Sequence, residues 1–259
     1  MGILSLLLLL SGVIETKPSP IFVDVSIGTH GPYRFLVDTG AQTSFIDTKL
    51  ARKLSLRPEF QVEVVTLNGS RFVPGLKTSA LKIGDRALPE TEMLFEDVAE
   101  ARRLDPSIQG VLGINALTGF DFVLSPVSSR LEQTAKRPAG EVLPFDTVDG
   151  GIAIKARMGT ETLTFILDSG ASHVVLFHVP AAMAATHSIA STASTMEGAR
   201  SVVPTRWTED MTFGDRLRVG MLPAAIVERN DTHADGLLPA SVFKKIYVDN
   251  SHRELVVVR

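Results

Sequence analysis

Polar and apolar positions alternate in short runs along this chain, the pattern of strands that bury one face. Ile21-Phe22-Val23-Asp24-Val25-Ser26-Ile27 is such a run, His30-Gly31-Pro32 marks a turn, and Tyr33-Arg34-Phe35-Leu36-Val37 returns. The two runs predict a hairpin that delivers Asp38. Asp47 is placed to cap a short helix through Thr48-Lys49-Leu50-Ala51-Arg52-Lys53-Leu54, whose apolar positions recur at helical spacing. Val62-Glu63-Val64-Val65-Thr66-Leu67 then meets Asn68-Gly69, a strong two-residue hairpin signal, and Arg71-Phe72-Val73 runs back. Further on, Ile152-Ala153-Ile154-Lys155-Ala156-Arg157-Met158 and Leu163-Thr164-Phe165-Ile166-Leu167 predict another hairpin, which delivers Asp168. The stretch from Pro180 to Thr195, rich in Ala, Ser and Thr, predicts a short helix near Pro180 and then a mobile loop.

The pattern repeats. Asp38-Thr39-Gly40-Ala41 and Asp168-Ser169-Gly170-Ala171 each close an apolar run, 130 residues apart. A lone Asp-Thr/Ser-Gly arises by chance in about one chain in ten of this size, so the flanks carry the signal. Ile27-Gly28-Thr29 matches Met158-Gly159-Thr160, and Gly69-Ser70-Arg71-Phe72-Val73-Pro74 matches Gly198-Ala199-Arg200-Ser201-Val202-Val203-Pro204. Ile83-Gly84-Asp85 matches Phe213-Gly214-Asp215, and Gly110-Val111-Leu112-Gly113 matches Gly236-Leu237-Leu238-Pro239, in the same order. Such a period is far too long for a solenoid and reads as one duplicated domain. The polar stretch from Ser125 to Pro144, carrying Pro126, Pro138 and Gly140, marks the join. We divide the chain into an apolar leader and linker at 1–19, an N-terminal lobe at 20–131 with Asp38, a linker at 132–143, and a C-terminal lobe at 144–259 with Asp168.

Each lobe of about 110 to 120 residues is large enough for its own core. A net charge of −3 with interspersed signs excludes the basic footprint that nucleic-acid binding requires. The absence of cysteine removes disulfides, thiol nucleophiles and cysteine-bound zinc. The run from Met1 to Ile14 resembles the hydrophobic core of a secretory signal and is too short to span a bilayer. Lys17-Pro18-Ser19-Pro20 follows as a linker, so export to the periplasm, the medium or a membrane tether is expected, although neither a preceding basic residue nor an Ala-x-Ala cleavage site is present. If the leader is no signal, the chain stays cytoplasmic; membrane association would come only through that leader.

Two carboxylates at the mouths of buried strands are costly to keep charged, and each offers the other a partner. Held about 3 Å apart, they cannot both ionise, so the pair shares a proton and one serves as base while its neighbour serves as acid. That is what peptide hydrolysis needs when neither metal nor covalent nucleophile takes part. Gly40 and Gly170 let backbone N–H groups approach the carboxylates, and Thr39 and Ser169 supply hydroxyls that can link the two loops. Taken singly, either aspartate reads as a turn cap after a strand. The matched pair does not.

With these residues in hand, the chain resembles the aspartic proteases. The Asp-Thr/Ser-Gly-Ala form is similar to the retroviral type and its bacterial relatives, and the single-chain two-lobe layout is similar to pepsin. The resemblance covers roughly residues 20 to 259. It implies a mostly β fold of two similar β-barrel-like lobes with short helices, with Asp38 and Asp168 meeting around a water at the floor of a cleft. Val111-Leu112-Gly113 and Leu237-Leu238-Pro239 would support the two loops from behind, and the hairpin at Asn68-Gly69 would be the flap. Two departures stand out: Pro239 replaces the usual glycine of the second supporting segment, and the only tyrosines, Tyr33 and Tyr247, lie outside the flap. Closure over a substrate would then use Arg71 or Phe72. Ala41 and Ala171 stand where pepsin-like enzymes often carry a hydroxyl that stabilises the charged carboxylate, so the pair should titrate higher and work nearer mild acidity or neutrality. The short distance from leader to first strand leaves no room for a pepsin-type propeptide. The implied partner is a peptide or protein substrate, with no cofactor and no metal, and a monomer suffices because one chain holds both acids.

Other chemistries find less support. Two carboxylates also define glycosidases, yet here they sit in repeated strand-turn settings, and one Trp with two Tyr gives little for sugar stacking. The six histidines are scattered; His173 and His178 read as ordinary loop or surface residues, and Asp231-Thr232-His233-Ala234-Asp235 as a solvated loop. Gly-x-Ser-x-Gly is absent. The serious alternative is a protease-like fold that binds peptides or docks a partner without cutting, a reading fed by Pro239 and the missing flap tyrosine.

Overall fold

The structure, a computed structural model, describes residues 9–11, 20–66, 69–133, 136–183, 188–194 and 200–259. In the first lobe, β1 (Ile21–Ile27) and β2 (His30–Asp38) form the expected hairpin, reversing at Gly28, whose φ of 60° suits a residue without Cβ. Alternation drives β1: Ile21, Val23, Val25 and Ile27 are buried while Asp24 is exposed. Then come β3 (Ser44–Asp47), β4 (Phe60–Thr66), β5 (Gly69–Thr78), β6 (Thr91–Glu96) and β7 (Ile108–Gly113). Helix α1 (Thr48–Lys53) begins where Asp47 accepts the N–H groups of Lys49 and Leu50 at 3.0 and 3.3 Å, and it buries Leu50 and Ala51. The hairpin β4–β5 forms as expected, with Thr66 opposite Gly69; its tip, Leu67 and Asn68, lies outside the described residues.

The second lobe carries β8 (Gly151–Met158), β9 (Glu161–Asp168), β10 (Val174–Leu176), β11 (Ile189–Ser194), β12 (Arg200–Trp207), β13 (Pro223–Ile226) and β14 (Gly236–Pro239). Its strand order repeats the first. One sheet runs β1-β2-β7-β3-β6-β5-β4 and the other β8-β9-β14-β10-β13-β12-β11, with every neighbouring pair parallel or antiparallel in the same sense. The chain is thus a mostly β, two-lobed acid protease fold. The C-terminal strands Lys245–Asp249 and Glu254–Val258 cross back to the first lobe's sheet, where Phe122 pairs with Val248, Val123 with Tyr247 and Leu124 with Ile246.

The segment after Pro180 departs from its expected form. Its helix is one 3-10 turn, Ala181–Met183, and Ile189–Ser194 is a strand instead of a mobile loop. Ala, Ser and Thr give no apolar stripe to read, but Ile189 to Ser194 pairs residue for residue with Thr205 to Arg200, so the ladder supplies what side-chain patterning does not. The outer edge of β11 is itself paired with Leu9–Ser11 of the leader.

Each sheet buries two faces. Phe35, Val37 and Leu112 join Phe165, Leu167 and Leu238 in a large core shared by both lobes, to which Phe122, Phe213 and Phe243 also contribute. Burying each such phenylalanine stabilises the fold by about 1.5–3 kcal/mol. On the opposite faces lie two smaller clusters. Leu36, Phe45, Val64, Val73, Leu94 and Val111 form one, and Ile166, Val175, Val203, Ala225 and Leu237 form the other.

Candidate active site

Asp38 is the last residue of β2 and Asp168 the last of β9. Strand β7 lies parallel to β2 with Gly113 opposite Asp38, and β14 lies parallel to β9 with Pro239 opposite Asp168, so both supporting segments stand beside the acids they were expected to brace. Val111 and Leu237 share the acids' face, while Leu112 and Leu238 turn into the shared core.

The loops after the acids interlock. Thr39 N–H donates to Ser169 Oγ at 3.0 Å and Ser169 N–H to Thr39 Oγ1 at 3.1 Å. Each hydroxyl in turn donates across the seam, Thr39 Oγ1 to the Leu167 carbonyl at 2.7 Å and Ser169 Oγ to the Val37 carbonyl at 2.8 Å. These four bonds are buried and fully used, which fixes the two loops against each other. Within each loop, Oδ1 of the aspartate accepts two backbone N–H groups: Gly40 and Ala41 at 3.0 and 3.1 Å for Asp38, and Gly170 and Ala171 at 2.7 and 2.9 Å for Asp168.

The glycines matter for the opposite acid. A Cβ at Gly40 would lie 2.4 Å from the Asp168 Cγ, and one at Gly170 would lie 2.7 Å from the Asp38 Cγ. Each carboxyl group therefore rests on the other lobe's glycine, both fully removed from solvent. Burial first, and then the charge of Asp38, push the pKa of Asp168 well above the carboxylate range, against the Gly170 and Ala171 N–H groups that favour its ionised form. With the charge of Asp38 beside a buried Asp168, the doubly ionised pair is unfavourable, so one of the two acids keeps its proton.

The two braces differ in chemistry. In the first lobe Gly113 N–H donates to Ser44 Oγ at 3.0 Å, Ser44 Oγ donates to Asn115 Oδ1 at 2.8 Å, and Asn115 Nδ2 donates to the Glu92 carbonyl at 2.9 Å. In the second lobe Pro239 has no N–H to satisfy, and Val174, six residues after Asp168, stands where Ser44 stands six after Asp38. Val174 packs in the core with Leu238. The missing donor and the missing acceptor match, so proline at this position leaves nothing orphaned.

A second contact across the lobes went unread in the sequence. Gln42 Nε2, four residues beyond Asp38, donates to the carbonyl of Asp149 in the turn before β8. Asp149 has φ of 49° and precedes Gly150 at 81°. Its carboxylate accepts Thr232 Oγ1 at 2.7 Å and His233 N–H at 2.8 Å, and pairs with His233 Nδ1 at 2.7 Å. The Asp231–Asp235 loop is thus fastened to the turn that touches Gln42. Burial raises the Asp149 pKa, but the His233 and Thr232 hydrogen bonds outweigh it and hold the group below its ordinary value; His233 is raised by the same pairing. His173 lies in a loop, as expected, but is buried there, with Nδ1 2.8 Å from Ser172 Oγ.

Of the flap residues, Gly69 lies in β5 and Asn68 outside the described residues. Arg71 pairs with Glu96 at 2.5 Å, and Phe72 is 71% exposed. Strand alternation turns Phe72 to solvent and sends Val73, with Val64 from β4, toward Leu36 and Ala41.

A sequence profile of the family described as aspartyl protease matches residues 23–116 and 154–242, one stretch around each acid. Among solved structures, an aspartic proteinase from Irpex lacteus is similar over 92% of this chain and 93% of its own, at 11% identity and a TM-score of 0.46. A retropepsin-like aspartic protease from Rickettsia conorii is similar over 45% of this chain and 87% of its own, at 16% identity and a TM-score of 0.30. No curated protein matches the chain.

Proposed function

Because this chain belongs to the aspartyl protease family, we propose that it is an endopeptidase that hydrolyses peptide bonds with a water activated between Asp38 and Asp168. The observation that carries this reading is the carboxyl pair itself, two fully buried acids each seated on the other's glycine, with Asp168 raised by burial and by the charge of Asp38. The ionised member takes a proton from water as its oxygen attacks the scissile carbonyl carbon, and the protonated member gives its proton to the carbonyl oxygen. Collapse of the resulting diol breaks the C–N bond: the acid that took the proton from water gives it to the departing nitrogen while the other takes one from a diol hydroxyl, which leaves the pair with a single proton again. The interlocked Thr39 and Ser169 keep the oxygens in place throughout, so no reorganisation is needed as charge develops. Both acids come from one chain, which needs no second copy to assemble them.

Pro239 lends little weight to a module that binds without cutting, because Val174 accommodates it. The decisive assay is cleavage of a peptide library across pH by the parent, Asp38→Asn and Asp168→Asn proteins. The parent should turn over and be blocked by a statine-type mimic of the diol, and either variant should lose at least about a thousandfold in kcat/KM. Peptide binding by the parent at every pH with no cleavage would sink the proposal.

A further inference from the structure

The two acids are related by repeated topology, but the surfaces beside them are not equal. In a strand, residues two apart share a face, so Leu36 lies on the side of Asp38 and Ile166 on the side of Asp168. From Leu36 the register leads across the sheet to Val111, Phe45, Leu94 and Gly75. From Ile166 the same steps lead to Leu237, Val175, Ala225 and Thr205. Each face is capped by its own hairpin, β4–β5 through Val64 and Val73 and β11–β12 through Val203. The strand found at Ile189–Ser194 completes the second of these hairpins, so both lobes carry a cover beside their acid.

Position by position along this path the second face carries the smaller side chains, although Phe177 packs there where the first lobe has Asp47. Val175 replaces Phe45 and Ala225 replaces Leu94, while Thr205 in place of Gly75 returns only part of that volume. The rims differ as well: Arg71 and Glu96 form an ion pair at the edge of the first face, where the second has Ser201 and Val227. Thr205 is 3% exposed, lies on the same side of β12 as Val203, and its hydroxyl has no hydrogen-bond partner among the described residues. A buried hydroxyl left without a partner is costly in a protein interior and marks a place where a ligand group can complete the bonding.

We propose that these faces are unequal side-chain pockets, and that the second-lobe pocket, floored by Val175 and Ala225 and ended by the Thr205 hydroxyl, selects a bulky residue with a hydrogen-bonding end, such as tyrosine. The inference rests on the reading that a peptide lies across Asp38 and Asp168. Entry requires the β11–β12 hairpin to lift, because the pocket residues are buried beneath it. The first-lobe pocket, filled by Phe45 and Leu94, takes a smaller apolar residue, so a peptide has one preferred direction across the acids.

Binding can be measured with hexapeptides whose scissile bond is an uncleavable hydroxyethylene unit, carrying Tyr, Phe or Ala on one flank and then on the other. On one flank alone, the parent should favour Tyr over Phe by about threefold to tenfold, the range of one neutral hydrogen bond. Thr205→Val should erase that ratio, and Ala225→Leu should weaken the Tyr and Phe peptides by about tenfold while sparing the Ala peptide. On the other flank these changes should do nothing, and Leu94→Ala should improve aromatic binding. Val175→Phe serves in place of Ala225→Leu should the latter lower the melting temperature sharply. Equal effects on both flanks, a Tyr to Phe ratio indifferent to Thr205, or a parent that binds none of the peptides would overturn the proposal. Cleavage of the matching amide peptides is read separately: selective binding without cleavage sinks only the protease reading, and cleavage blind to flank sinks only the pockets.

Discussion

At Gly40 and Gly170 a single hydrogen atom separates two closely seated carboxyl groups from a collision. Gly40→Ala should force the Asp168 carboxyl aside and abolish turnover, while circular dichroism still reports the β fold, because the overlap involves one side chain in one loop. The raised pKa of Asp168 also has a signed consequence. Its folded-state value lies above the ordinary one, so the proton it holds favours the folded state at low pH, and that contribution is lost as pH rises through the raised value. Asp168→Asn should therefore raise the melting temperature more at pH 8 than at pH 4, by about 2–4 °C for each kcal/mol relieved in a chain of this size. A variant that melts lower at pH 8 would contradict the buried shared proton. The two tripeptides were legible because each is local and each follows an apolar run. The meaning of Pro239 was not, since it depends on Val174, 65 residues away in the sequence, and on the bond from Gly113 N–H to Ser44 that only the folded first lobe shows. Ser44→Ala should be the costly change in the first lobe, leaving the buried Gly113 N–H without its acceptor at about 1–3 kcal/mol, readable by chemical denaturation.

Among the elements, the strands with alternating burial were read with little error, because Ile21 to Ile27 states its inward face in its own residues. Helix α1 was legible for the same reason, since its cap and its apolar spacing both lie within a few residues. Asp47→Ala should destabilise the chain by about 1 kcal/mol or more, as it removes the cap and also the ion pair with Arg102. Asp47→Asn, which keeps the cap and loses the charge, should recover part of that loss. Strand β11 was hidden in the sequence for a physical reason: its pattern of small and polar residues belongs to no period, and only the ladder with β12 makes it a strand. The inward side of the β4–β5 hairpin is legible in the alternation of Val62, Val64 and Val73, whereas the aromatic Phe72 lies on the solvent face.

For the whole molecule, the lobes meet through the interlocked loops, the shared core and the contact of Gln42 with the Asp149 turn. The last was illegible because a glutamine and an aspartate 107 residues apart carry no local signal. It gives a pH dependence with two limits. The lowered Asp149 pKa means its contribution is present above the ordinary carboxylate value and lost as pH falls through the folded one; the raised His233 pKa means its contribution is present below the ordinary histidine value of 6.5 and lost as pH rises through the folded one. The clasp should be firmest in mild acid. A plot of melting temperature against pH for His233→Ala should diverge from the parent between those limits and converge outside them, and parallel curves would show that the clasp contributes nothing. The crossing of Lys245–Asp249 into the first lobe's sheet reaches further, into how the protein is made. During vectorial synthesis, Phe122–Ser125 pairs at once with Arg130–Gln133 but emerges from the ribosome long before its second partner, Lys245–Asp249, and until that strand is made the first lobe keeps an open edge. A nascent chain halted in the second lobe would be an incomplete and sticky object, and such truncations should be held by chaperones or degraded.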